Sequence, residues 1–292
     1  MGVRTVVVLA VLLGVTGSLG VTLGPETTWN TDVTAHPNSV PETVEEMGQK
    51  QELPEEKVEE EVMATGKLNP NHYPAQRAAK VVQHYLNAQY GSPYRLFGLQ
   101  KVHSGDAEDV ADSGRKYQLE ISVHEIISNA VQKCSAEVFF PRGETPLSAQ
   151  VQVSCEELLS INTTAQEEAL YQQYKTNQTL QSAQKLPDSY GHIAADMKPL
   201  WHLGIMASSH VMLNESTEET LYNMAQVANI TQLETENDQL QFDAHILLHE
   251  MVSQEIIHWK LLFTWSPAEG TKVLQMEKLP HCHDWEKPPS TD

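Results

Sequence analysis

Positive charge is in short supply: 19 Lys and Arg stand against 39 Asp and Glu in 292 residues, a formal charge of −20. That deficit argues against nucleic-acid phosphate as a partner, because proteins that bind it gather Lys and Arg on one face. Long apolar runs are also missing. The strongest lies within residues 1–20, where Arg4 precedes TVVVLAVLLGV and the small residues Gly17, Ser18 and Gly20 follow. Its apolar part falls short of the roughly 20 residues that a bilayer span needs. The pattern is that of a secretory signal peptide, so the expected location is secreted and extracellular, with no membrane attachment after cleavage. Cysteines number three. Cys134 and Cys155 flank a turn at Pro141–Pro146, where adjacent antiparallel strands would join them in an oxidising compartment; Cys282 is left over. Sequons at Asn162, Asn177, Asn214 and Asn229 fit a secreted glycoprotein.

Catalytic signatures are absent as well. No glycine-rich phosphate loop and no Ser-His-Asp or Cys-His constellation stands out, so neither a catalytic residue nor a cofactor is expected. His124-Glu125 and His249-Glu250 begin like the HExxH zinc helix, but position four holds Ser128 and Ser253. That helix needs its histidines at i and i+4 on one face. Both segments also alternate like strands, and no metal site is expected of them. Gln100-Lys-Val-His-Ser-Gly105 is one residue too long for the QxVxG loop with which cystatins block papain-like proteases. His281-Cys-His283-Asp284 sits in a tail with no second cluster, a weak metal signal.

What the chain does contain is a repetition. Tyr117–Phe140, YQLEISVHEIISNAVQKCSAEVFF, returns as Phe242–Trp265, FDAHILLHEMVSQEIIHWKLLFTW, at a constant offset of 125: His124/His249, Glu125/Glu250, Ser128/Ser253, Pro74/Pro199 and Val102/Val227. A repeat of about a hundred residues means two modules and not solenoid units. In each, a helix opening at the proline precedes a strand and a hairpin. Ala75, Ala78, Ala79, Val82, Tyr85 and Leu86 keep helical spacing, and Gly91-Ser-Pro93 stops that helix. Strands follow at 96–102, 117–123, 131–140 and 147–155, with a polar loop at 106–114 between the first two. Residues 165–184 read as a helix joining the modules. The second set of strands is expected around 221–227, 240–248, 254–265 and 271–275.

A helix laid on a four-stranded antiparallel meander buries both apolar faces, which makes the class α+β. The expected organisation is a signal peptide at 1–20, an acidic disordered segment at 21–69, module 1 at 70–155, a linker with a helix at 156–197, module 2 at 198–280 and a tail at 281–292. Between Pro41 and Val62, nine Glu and two Lys leave a local charge of −7, the composition of a segment that stays unfolded.

The stretches NHYPAQRAAKVVQHYLNAQYGSPYRLFGLQKV (71–102), KLPDSYGHI (185–193), ILLHEMVSQEIIHWKLLFTW (246–265) and GTKV (270–273) resemble the latexin family. That resemblance covers about 70–281. It implies two tandem cystatin-like modules joined by a connecting helix, and inhibition of zinc-dependent A/B-type metallocarboxypeptidases, with two hairpin tips at one inter-module seam capping the enzyme's mouth. The partner-binding residues it implies are His249, Glu250, Met251, Val252, Ser253, Gln254 and Glu255, with Glu125, Ile126, Ile127, Ser128, Asn129 and Ala130 as counterparts. A competing use of Ile126, Ile127 and Met251 is to pack the modules together. The chain departs from the family at His258, where proline is expected, and at Glu250, where an uncharged residue is expected. Secreted relatives include an eggshell matrix protein, so an acidic extracellular matrix protein that interacts with calcium mineral is the alternative.

Overall fold

The structure is a computed structural model that describes residues 65–143, 148–234 and 238–280. The expected signal peptide, almost all of the acidic segment and the tail with His281, Cys282, His283 and Asp284 lie outside the described residues.

Each module is one long helix on one antiparallel sheet. In the first, α1 (Tyr73–Tyr90) lies against a sheet of strand order β1-β2-β3-β4-β5, made of β1 (Gly66–Leu68), β2 (Phe97–Val110), β3 (Gly114–Glu125), β4 (Val131–Pro141) and β5 (Gln150–Ser154). Two short helices follow, α2 (Glu156–Leu159) and α3 (Thr164–Thr176). In the second module α4 (Lys198–Glu215) lies on a sheet of order β10-β9-β8-β7-β6. Its strands are β6 (Ser182–Leu186), β7 (Tyr222–Leu233), β8 (Leu240–Glu250), β9 (Glu255–Ser266) and β10 (Gly270–Lys278).

The helices start where proline pre-sets φ: both α1 and α4 carry Pro at the first or second position. One side of β3 and β4 closes the first core, with Tyr117, Leu119, Ile121 and Val123 buried alongside Cys134, Ala136, Val138 and Phe140. Side chains alternate across a strand, so every second residue is enough to build that face. The equivalent core holds Phe242, Ala244, Ile246 and Leu248 against Trp259, Leu261, Phe263 and Trp265. Burying each large apolar side chain stabilises the fold by about 1.5–3 kcal/mol. Gly204 lets α4 approach β7 closely, since a Cβ there would stand 2.4 Å from Val227 Cγ2. Cys134 and Cys155 form a disulfide with Cα atoms 5.1 Å apart.

Three expectations need correction. Each sheet has five strands, not four, because β1 and β6 are edge strands too short to show alternation. β6 falls inside the segment read as linker, and the helix expected at 165–184 ends at Thr176. The supposed polar loop at 106–114 is mostly the far end of β2, which pairs Val110 with Gly114. Only the small residues Gly105 and Ala107 turn inwards there, so the stretch has no apolar signature.

The modules meet through their helices with a near two-fold relation. Arg77 Nη1 on α1 donates to the Glu218 carbonyl at 3.3 Å, and His202 Nδ1 on α4 lies 2.6 Å from the Pro93 carbonyl. Both members of each contact differ from their counterparts by 125. Since each helix's start meets the other's end, α1 and α4 run antiparallel. The bulges repeat too, at Leu99/Lys101 and Val102/Ser104 in β2 and at Met224/Gln226 and Val227/Asn229 in β7.

His84 is buried on α1 near the backbone of Tyr222 in the other module. Burial, helped by the charge of Lys80, pulls its imidazole down to about 3 from an ordinary 6.5. A folded-state value below the unfolded one makes the contribution whole above the unfolded value and erodes it as pH falls from 6.5 towards 3. The expected slope is about 1.4 kcal/mol per pH unit within that window. Urea unfolding at pH 7.5 and 5.0 measures it, and His84→Gln should flatten the difference; an unchanged slope in that variant would refute the assignment.

Candidate functional site

The turn between β8 and β9 is built around one carboxylate. Glu250 Oε1 accepts from the amides of Leu221 at 2.9 Å and Val252 at 3.1 Å, and Oε2 accepts from Ser253 at 2.6 Å. Met251 N donates to the Leu221 carbonyl at 2.9 Å, tying the turn to the loop after α4. Gln254 completes the turn at φ +61°, a left-handed conformation that non-glycine residues seldom adopt. The β3–β4 turn repeats each part. Glu125 accepts from Leu96, Ile127 and Ser128 at 2.9, 3.1 and 2.6 Å. Ile126 N bonds to the Leu96 carbonyl, and Asn129 has φ +60°. Burial alone would raise both carboxyls, but the hydrogen bonds they accept outweigh it and hold both below the ordinary value.

Two of the residues expected at the partner surface therefore leave it. Glu125 and Glu250 are buried with their oxygens turned into the turn, satisfying amides. The side chains outside them are the surface. Met251 is 38% exposed and Val252 49%, with Ile256 beside them on β9. Ser253, Gln254 and Glu255 are exposed, and His249 is half-buried on the strand. On the first tip Ile126, Ile127, Ser128 and Asn129 are exposed and Ala130 is half-buried. Ile126, Ile127 and Met251 belong to neither buried core, so the packing of the modules does not rest on them as core residues.

The tips do not share one end of the seam. Tip 125–130 is clamped to Leu96, just past the end of α1 and near the start of α4. Tip 250–255 is clamped to Leu221, just past the end of α4 and near the start of α1. With antiparallel helices of 18 residues, the tips lie on the order of 27 Å apart. The second tip's neighbour across the seam is instead the far end of the first sheet. Glu218, three residues before Leu221, accepts from the Tyr117 hydroxyl at 3.0 Å and pairs with Arg115 at 3.6 Å and Arg142 at 3.7 Å. Burial, then the Glu218 charge, pushes Tyr117 up to about 12, and the pairing with Asp109 raises Arg115. Reading the sequence did not single out Glu218. Its position in the repeat matches Pro93, which carries no hint of an ion pair.

His124 and His249 occupy strands, so neither begins a zinc helix. Among the described residues no group of three or more His, Cys, Asp or Glu could hold a metal ion. No helix among them is long and apolar enough to cross a membrane. Asn162, Asn177, Asn214 and Asn229 are all exposed.

Residues 68–283 match the family described as Latexin. Human (Homo sapiens) latexin is 36% identical over 214 residues, 73% of this chain and 96% of that protein. Human retinoic acid receptor responder protein 1 is 31% identical over 222 residues, 73% of each. Ovocalyxin-32 of Gallus gallus is 30% identical over 208 residues, 70% of this chain and 74% of that protein.

Proposed function

The chain belongs to the latexin family, and from that premise we propose that it is a secreted inhibitor of zinc-dependent A/B-type metallocarboxypeptidases that works by obstruction. The observation that carries this reading is the second tip: exposed Met251, Val252 and Gln254 on a turn whose backbone is tied by one buried carboxylate. A turn already rigid before contact loses little freedom on binding. Exposed apolar anchors flanked by polar groups give the centre and rim that interfaces use. A closed loop also offers an exopeptidase no chain end to cleave. The contact surface is the tip together with the Thr217–Leu221 loop and the adjoining end of the first sheet; the first tip faces elsewhere. The disulfide and the four exposed sequons support export to an oxidising compartment.

The mineral-binding alternative draws on the acidic segment. On the outer face of the first sheet, Lys116 pairs with Glu108 and Glu137, and Lys133 with Glu120, which partly neutralises the acid groups there. The decisive measurement is hydrolysis of a peptide by a purified A-type carboxypeptidase in the presence of residues 21–292. Inhibition with Kd near or below about 1 μM, some −8 kcal/mol, is expected. Full activity at that concentration would reject the proposal.

A further inference from the structure

The outer face of the second sheet, away from α4, carries a pair of histidines that the proposed inhibitory surface does not use. His245 Nε2 on β8 and His258 Nδ1 on β9 lie 3.1 Å apart, with ring centroids 5.1 Å apart. The register pairs His245 with Lys260 and Leu247 with His258, so the two rings meet diagonally across the ladder. Both are half-buried on extended strands, which limits their rotamers.

One hydrogen bond between neutral imidazoles accounts for the distance. So does a shared ion: two nitrogens held 2.0–2.1 Å from one metal, at tetrahedral to right angles, are about 2.9–3.4 Å apart. We propose that His245 and His258 form a two-histidine site for a divalent transition-metal ion of the class imidazole favours, Cu²⁺ or Zn²⁺, with water completing the coordination. The chemistry is simple. His245 binds through Nε2 and keeps its proton on Nδ1, while His258 binds through Nδ1 and keeps its proton on Nε2. The proton formerly shared between the rings moves to the far nitrogen of its own ring, and a neutral pair releases none. Lys260 is the cation nearest in register. Asp243 pairs with it at 3.4 Å, and Glu277 stands opposite it on β10, so its charge is offset.

The test uses residues 21–292 carrying His281→Ala, Cys282→Ala and His283→Ala, which removes the tail as a competitor. Calorimetric titration with Cu²⁺ at pH 7.5 should show one ion bound, with electron paramagnetic resonance reporting two nitrogen ligands. Zn²⁺ should compete for the same site more weakly, displacing Cu²⁺ only in excess. His245→Ala and His258→Ala should each weaken binding at least about tenfold, with unchanged melting in the absence of metal. His103→Ala, on the first module, should not alter it. Affinity unchanged from the parent in both pair variants would place the ion elsewhere, and no binding by the parent would leave the pair a hydrogen bond only; either result overturns the proposal.

Discussion

Changing Met251 to Ala and Gln254 to Asn together is expected to weaken carboxypeptidase inhibition at least about 100-fold, the effect of losing two interface anchors worth some 2 kcal/mol each. The fold should barely register the change. Met251 lies at the surface, 38% exposed, and belongs to neither buried core, so truncating it opens no core cavity. Asn is chosen at 254 because the first tip already places Asn129 at the same left-handed φ, and Asn tolerates that region better than most residues. A double change on the first tip, Ile126→Ala with Ile127→Ala, should leave inhibition intact, since that tip lies at the other end of the paired helices. Equal losses from both pairs would contradict the single-tip arrangement. Inhibition constants and urea midpoints for the two double variants decide it.

Glu250→Ala should do more damage, and of two kinds. Three backbone amides lose a charged acceptor, and the expected cost is about 3–5 kcal/mol, given that hydrogen bonds to charged groups contribute some 1.5–3 kcal/mol each and act jointly here. Inhibition should fall with it, because the tip loses its fixed shape. Glu125→Ala removes the same three bonds from the other turn, so it should cost a similar stability without a specific loss of inhibition in the folded fraction. Glu250→Gln keeps an acceptor but not the charge and should fall between. Acid has the same sense. Both carboxyls sit below their ordinary value, so their contribution is present above the usual carboxylate range and disappears as pH drops through the folded-state value. Unfolding free energies by denaturant, paired with inhibition assays, separate the two residues; a Glu250→Ala protein as stable as the parent would remove the clamp from the explanation.

The two glutamates also mark where reading residues in order stops being informative. Their recurrence at an offset of 125 is visible in the chain, and it located both turns correctly. Their role was not visible, because a charged residue at a turn looks like surface until the amides of Leu96 and Leu221, some 29 residues earlier, arrive beside it. The same holds for α4. It is apolar on nearly every side, with Leu200, Leu203, Met206, Ala207, Val211 and Met212 buried, because it packs on its own sheet and on α1 at once. Apolarity all round signals burial, but not what does the burying.

Local pattern alone determined the duplication, the helix starts at Pro74 and Pro199, the inward faces of the hairpin strands and the Cys134–Cys155 bridge, since each rests on period-two or period-3.6 spacing or on neighbours in adjacent strands. Tertiary structure decided the rest: the edge strands β1 and β6, the antiparallel docking of α1 on α4, the Glu218 ion pairs and the separation of the tips to opposite ends. These depend on contacts between residues as far as 141 positions apart. No periodicity within a segment encodes which surface of another segment it will meet.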